Sequence, residues 1–172
     1  MINKPSIISC AGFKFIIMDA PSRHNAEDYA EGLKAHNAKY LVRTCEPMYD
    51  DAVFVSRGIQ IEELYFTDGA APPRHIIVKW IEIVRETFVE NGKLKYKGDN
   101  IPSIAVHCLA GLGRAPVLVA IALIEAGLDY QDAVKHIRKN RHGALNTHQL
   151  DFLRSYRTIG LYKSGKSCCE LL

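Results

Sequence analysis

The run His107-Cys108-Leu109-Ala110-Gly111-Leu112-Gly113-Arg114 constrains this chain more than any other stretch. It joins an apolar, strand-like Ile104-Ala105-Val106 to the helix-like Ala115-Pro116-Val117-Leu118-Val119-Ala120-Ile121-Ala122-Leu123-Ile124. Its glycines permit backbone angles closed to other residues, so successive amides can turn around one oxyanion. Pro116 falls in the first helical turn, where a missing N–H breaks no helical bond. The helix N-terminus, with its partial positive charge, faces the same point. Thiolate is the nucleophilic form of cysteine, and amides, helix dipole and guanidinium together favour it at Cys108. Arg114 returns across the loop with a planar fork that can hold two phosphoryl oxygens, a geometry lysine lacks. Leu109, Ala110, Gly111, Leu112, Gly113 and Arg114 are thus the candidate phosphate cradle. We expect His107 to orient the loop by hydrogen bonding rather than to act as a base.

At 172 residues, 48% of them hydrophobic, the chain suits one compact core. A net charge of +3, with no basic run interleaved with aromatics, argues against a nucleic-acid partner. Five cysteines, an odd number without framework spacing, fit a reducing compartment. The N-terminal stretch has no secretory apolar core, Ile2 is no myristoylation acceptor, and no apolar run suggests a membrane span. His, Cys and Asp occur without the paired spacing of metal ligands, so neither metal nor cofactor is expected.

Apolar patterning predicts strands over 6–9 and 13–18, a helix over 25–37 with Asn25 as cap, and strands over 40–45 and 59–65. Ile76, Ile77, Trp80, Ile81, Val84 and Phe88 recur at helical spacing, a stripe read as core. Residues 93–102 read as a flexible, charged excursion. Two more helices are predicted over 130–140 and 146–159, the second capped by Asn146. Interleaved strands and helices followed by a helical C-terminal half indicate an α/β fold around one sheet.

Cys-x5-Arg preceded by His is the signature of cysteine-dependent tyrosine phosphatases. The string from His107 to Ala120 resembles the phosphatases of regenerating liver, the prenylated type IVA tyrosine phosphatases. The likeness continues through Val42-Arg43-Thr44-Cys45-Glu46, Asp68-Gly69-Ala70 with Pro72-Pro73, Asp132-Ala133-Val134 and Gly143-Ala144-Leu145-Asn146. It implies the tyrosine-phosphatase fold, a central mixed sheet of about five strands flanked by helices. Residues 1–160 would form the phosphatase domain and 161–172 a tail.

The resemblance also implies roles. Asp68 alone reads as a turn former before Gly69; the family motif makes it the acid that protonates the leaving oxygen. The family shows two consecutive acids after a Trp-Pro pair, whereas this chain has Leu64-Tyr65 and Thr67 there, with an extra Ala in the loop. Ala115 stands where many related enzymes carry a hydroxyl, which implies slow breakdown of a phosphocysteine. Cys45 alone reads as a buried, hydrophobe-like thiol; the family makes it the resolving partner of oxidised Cys108. The final Cys169-Glu170-Leu171-Leu172 has the form of a prenylation box for geranylgeranyl, with Arg154, Arg157, Lys163 and Lys166 as a sparse basic approach. A prenyl anchor would hold the protein on the cytoplasmic face of plasma or endosomal membranes, and without it the chain would be soluble in the cytoplasm.

The expected activity is dual-specificity-type phosphatase chemistry on phosphoproteins, with phosphoinositides open as substrates and homo-oligomerisation open. An alternative is a regulatory module whose pocket docks CBS-domain magnesium transport mediators, again implied by the resemblance. Sulfur transfer by a rhodanese-like loop is a third reading, which His-Cys-x5-Arg fits less well.

Overall fold

In a computed structural model the described residues are 4–96, 98 and 100–161. Lys163, Lys166 and Cys169 lie outside them. The elements run β1 (Ser6–Cys10), β2 (Phe13–Met18), α1 (Ala26–Ala35), β3 (Ala38–Arg43), α2 (Ala52–Val55), β4 (Gln60–Glu63), α3 (Arg74–Phe88), β5 (Val89–Glu90), β6 (Lys93–Leu94), β7 (Ser103–His107), α4 (Arg114–Glu125), α5 (Tyr130–Asn140) and α6 (Thr147–Ser155).

Strand periodicity sets the layers. In β2, Phe13, Phe15 and Ile17 enter one apolar cluster while Ile16 and Met18 enter another. Tyr40 and Val42 part from Leu41 in the same way, as do Ile104 and Val106 from Ala105. The first cluster holds the apolar faces of α3, α4, α5 and α6, the second those of α1 and α2. The sheet is therefore covered on both faces. Its order is β1-β2-β7-β3-β4, with β1 antiparallel to β2 and the other neighbours parallel. This is the expected α/β architecture with a mixed five-stranded sheet. Central β7 is buried at all five residues, which explains its unbroken apolar run. It points its C-terminal end, and Cys108, out of the middle of the sheet.

The stripe on α3 is core, as its spacing predicted: Trp80 is fully buried and donates its indole N–H to the Leu118 carbonyl of α4 at 2.6 Å. Three local expectations need correction. Asn25 holds the cap position of α1, but its side chain accepts from Ser22 N at 2.7 Å and bonds no helix amide. The excursion over 93–102 begins as half of a hairpin, β5 pairing with β6 across Asn91-Gly92, both with positive φ (51° and 72°). That pair suits a tight type I′ turn.

The third correction concerns α6, which ends at Ser155 rather than near Ile159. Glu125, the last residue of α4 and buried, accepts from Tyr156 Oη (2.7 Å), Ile159 N (2.6 Å), Gly160 N (3.1 Å) and Leu161 N (3.0 Å). Arg85 of α3 donates to the carbonyls of Gly160 and Leu161. Four donors converging on one carboxylate offset more than another helical turn would supply, so the chain turns back. Glu125→Ala leaves those donors unmatched and should lower stability by about 3 kcal/mol, with faster amide exchange at 159–161. An unchanged denaturation midpoint would contradict this reading of the carboxylate.

Candidate active site

Between β7 and α4 the loop turns four successive carbonyls outward, those of Leu109 to Leu112, each with a partner. The Leu109 carbonyl accepts from Ala20 N at 3.1 Å, and that of Leu112 from Leu145 N at 2.8 Å. Those of Ala110 and Gly111 accept from the Arg141 guanidinium, at 3.0 and 2.6 Å. Because a peptide is planar and trans, a carbonyl pointing out sets the next amide pointing in. The N–H groups of Ala110, Gly111, Leu112 and Gly113 accordingly face the cavity above Cys108. Gly111 permits the tight path: φ is +68°, and a Cβ there would lie 2.5 Å from the Met18 carbonyl and collide with Arg141. Leu145 is itself left-handed (φ 68°), held so by Arg138, whose guanidinium donates to the carbonyls of Ala144 and Leu145 at 2.9 Å each.

The cavity, about 290 Å³, is lined by Asp68, Cys108, Leu109, Ala110, Leu112, Gly113, Gly143, Asn146 and Gln149. Cys108 is 2% exposed at its floor. Arg114, the first residue of α4, is likewise buried, and its Nη1 donates to the carbonyls of Thr44 (3.0 Å) and Phe66 (3.4 Å). Its Nε lies 3.1 Å from Asp68 Oδ1 without hydrogen-bond alignment, so this buried donor has charge beside it but no bond. Asp68 itself is three-quarters exposed. The loop carrying it is pinned on one side by buried Leu64 and Phe66, with Leu64 N on the Arg43 carbonyl at 2.8 Å. On the other side Asn146 Nδ2 donates to the Gly69 carbonyl (3.0 Å) and Gln149 Nε2 to that of Ala70 (3.4 Å). Buried Leu64 anchors the loop at the position where the resemblance led us to look for Trp, and Asp68 reaches Arg114 despite the inserted Ala.

His107 is fully buried, with Nε2 2.7 Å from the Tyr49 hydroxyl. Burial pulls its pKa down from 6.5 to about 4, against a hydrogen bond to the Cys108 main chain that raises it. The ring is therefore held neutral in the folded chain. Tyr49 is in turn 5.3 Å below the Arg43 guanidinium. Buried Arg43 pairs with Asp51 at 2.7 Å and with Glu63. Cys45 follows β3, whose Arg43 is opposite His107 of β7, so the two cysteines leave neighbouring parallel strand ends. Its Sγ lies 3.8 Å from His107 Nδ1. Burial pushes the Cys45 thiol up from its ordinary value. Cys45 and Cys108 are both free thiols.

The structure thus gathers Cys108, the loop and Asp68 around one cavity, with Arg114 buried against Asp68 and Cys45 against His107, while Cys169 lies outside the described residues. Among the described residues no three His, Cys, Asp or Glu side chains form a metal cluster. Inward amides and a guanidinium around one thiol suit a tetrahedral oxyanion. Sequence reasoning missed Arg141, Tyr49 and Gln149. Only Gln149 had a local signal: Asn146-Thr147-His148-Gln149 is a capping box, and both of its bonds form.

Relatives place this geometry in a family. The protein-tyrosine phosphatase model matches residues 68–159. The PRL-1 phosphatase of Drosophila melanogaster is 42% identical over 170 residues, 97% of this chain and 92% of that one. Protein tyrosine phosphatase type IVA 3 of Homo sapiens is 40% identical over 158 residues, 91% and 87% of the two chains. The chain belongs to the type IVA protein-tyrosine phosphatases. A solved protein tyrosine phosphatase from Leishmania major has the same fold, with a TM-score of 0.79 at 36% identity over 90% of this chain and 99% of that one. The protein is a phosphatase, a hydrolase of phosphate esters.

The lowered His107 pKa ties the stability of this phosphatase to pH. Between about 6.5 and about 4 the unfolded chain binds a proton that the fold refuses, so stability falls as pH falls through that window. The full loss is about 3 kcal/mol. His107 ring resonances should therefore keep their neutral positions from pH 8 down to 5. An inflection above pH 6 would show that the ring is not held neutral by burial.

Proposed function

We propose that the protein hydrolyses phosphotyrosine-type esters on proteins through a phosphocysteine at Cys108. What supports this most is the outward anchoring of four successive loop carbonyls around that thiol. The Cys108 thiolate attacks phosphorus, the P–O bond to the leaving group breaks, and Asp68 supplies the proton that the departing oxygen takes. Inward amides and the Arg114 fork hold the three non-bridging oxygens. Water then attacks phosphorus, gives its proton to Asp68, and frees the thiolate. Ala115 offers no hydroxyl to assist that second step, so the phosphocysteine is long-lived. In the free pocket the Asp68 carboxylate stands beside Arg114 Nε, where an incoming phosphate also needs to bind. Phosphate displaces it.

The tail adds a geranylgeranyl anchor at Cys169, and Cys45 adds a redox guard. Peroxide oxidises Cys108 to a sulfenic acid. The Cys45 thiol condenses with it, the S–S bond forms, the S–O bond breaks and water leaves. A second reading, a docking module for a partner such as the CBS-domain magnesium transport mediators, draws on the exposed Leu109 and Leu112 at the pocket rim, 59% and 38% accessible. A phosphocysteine would block that docking.

Intact mass spectrometry tests these parts. A phosphoryl adduct should persist after brief reaction with a phosphate ester and be absent from Cys108→Ser; peroxide should yield a Cys45–Cys108 linkage; protein from eukaryotic cells should carry the lipid. Asp68→Ala should lose far more turnover on poor leaving groups than on activated ones and bind vanadate more tightly. Ala115→Ser should speed steady-state turnover. Equal losses with both leaving groups would remove Asp68 from its role, and the lack of any adduct would remove the covalent mechanism.

A further inference from the structure

A cleft of about 650 Å³ lies between α5 and α6, away from the catalytic cavity. Val134 and Leu150 supply apolar lining, and Lys135, Arg138, Lys139 and Arg154 supply four cations with no carboxylate among the lining residues. Lys135 and Lys139, four apart on α5, share one helix face. Both are exposed, and neither joins an ion pair or side-chain hydrogen bond among the described residues. The ion pair of Arg154 with Asp151 is loose, 3.7 Å with both side chains about two-thirds exposed, and worth little in water. An ordinary solvated surface intersperses both signs; this one concentrates a single sign around an apolar strip.

Its position matters as much as its charge. Arg154 Nε donates to the Tyr130 hydroxyl at 3.3 Å, so the start of α5 meets the end of α6. There the chain passes Tyr156 and exposed Arg157 before Glu125 gathers residues 159–161. The cationic cleft therefore adjoins the segment that leads on to Lys163, Lys166 and Cys169.

We propose that the α5–α6 cleft is a docking surface for an anionic lipid bilayer, with Lys135, Lys139 and Arg154 meeting headgroup phosphates and carboxylates. The surface extends the tethering reading above but acts without the prenyl group. A single lipid chain gives only marginal, reversible attachment, so a second, electrostatic contact is what makes it persist.

The test uses the full-length chain made in bacteria, hence without prenyl, in flotation with phosphatidylcholine vesicles that contain or lack phosphatidylserine. Wild type should bind only the anionic vesicles, and less so as salt rises. Lys135→Gln with Lys139→Gln should weaken binding about 30-fold, at ~1 kcal/mol for each cation removed. Thermal stability and phosphate-ester turnover should stay unchanged. Arg138 is left intact because it holds the Leu145 turn behind the catalytic loop. Wild-type-like vesicle binding by this double variant overturns the proposal, as does a loss confined to Lys163→Gln with Lys166→Gln. If a polyglutamate peptide needs Lys135 and Lys139 while vesicles do not, the cleft serves a protein and the lipid assignment is wrong. Absence of a lipid on Cys169 in cells would end the anchor reading and leave this result standing.

Discussion

The loop from Cys108 to Arg114 keeps its shape because its carbonyls are held from behind. Ala20 N, the Arg141 guanidinium and Leu145 N take the oxygens of Leu109, Ala110, Gly111 and Leu112. The amides have no other way to face than inward. A loop of peptide dipoles pointing at one spot repels itself when empty, so its geometry has to be enforced by contacts outside the pocket. Those contacts come from three distant stretches: the residues after β2, the end of α5 and the turn before α6. Parallel pairing of β2 with β7 brings the first of them alongside the loop. Arg141 also reaches the carbonyls of Lys4 and Ile17, so one guanidinium ties the N-terminal strands to the catalytic loop.

A second layer of order runs under Cys108. Tyr49 bonds the His107 ring, Arg43 lies over Tyr49, and the partly exposed Asp51 and Glu63 hold the buried Arg43. Each buried polar group in that chain is stabilised by the next, which keeps a neutral imidazole in a place where a charged one would be expensive. At the far end of α4, Glu125 performs the corresponding task for the C-terminal segment. One helix of about 18 Å thus carries Arg114 into the pocket at its start and fixes the chain's exit at its end.

Features set by neighbouring residues were legible in the sequence. The strand-loop-helix run around Cys108 and the α3 stripe needed only local pattern and stand where they were expected, whereas the strand expected over 40–45 lies at Ala38–Arg43, leaving Cys45 beyond its end, and that expected over 59–65 shortens to Gln60–Glu63. Asn91-Gly92 carried a hairpin signal that the surrounding charges obscured. Arg141 had none: an arginine just past a helix end reads as a solvated cation favouring the helix dipole, and its burial depends on where β1 and β2 pass. Glu125 did leave a trace, a lone carboxylate closing an otherwise apolar helix after Arg114, which asks for buried donors. Cys45 reached its place beside His107 through strand register, which no local motif encodes.

A crystal structure with vanadate or tungstate in the pocket tests the central claim most directly. The oxyanion should sit above the Cys108 sulfur, its oxygens about 3 Å from the loop amides and the Arg114 fork. Asp68 should be released from Arg114, and the four carbonyls should keep their partners. An oxyanion bound elsewhere, or one that binds only after those carbonyls have left Ala20, Arg141 and Leu145, would contradict the account.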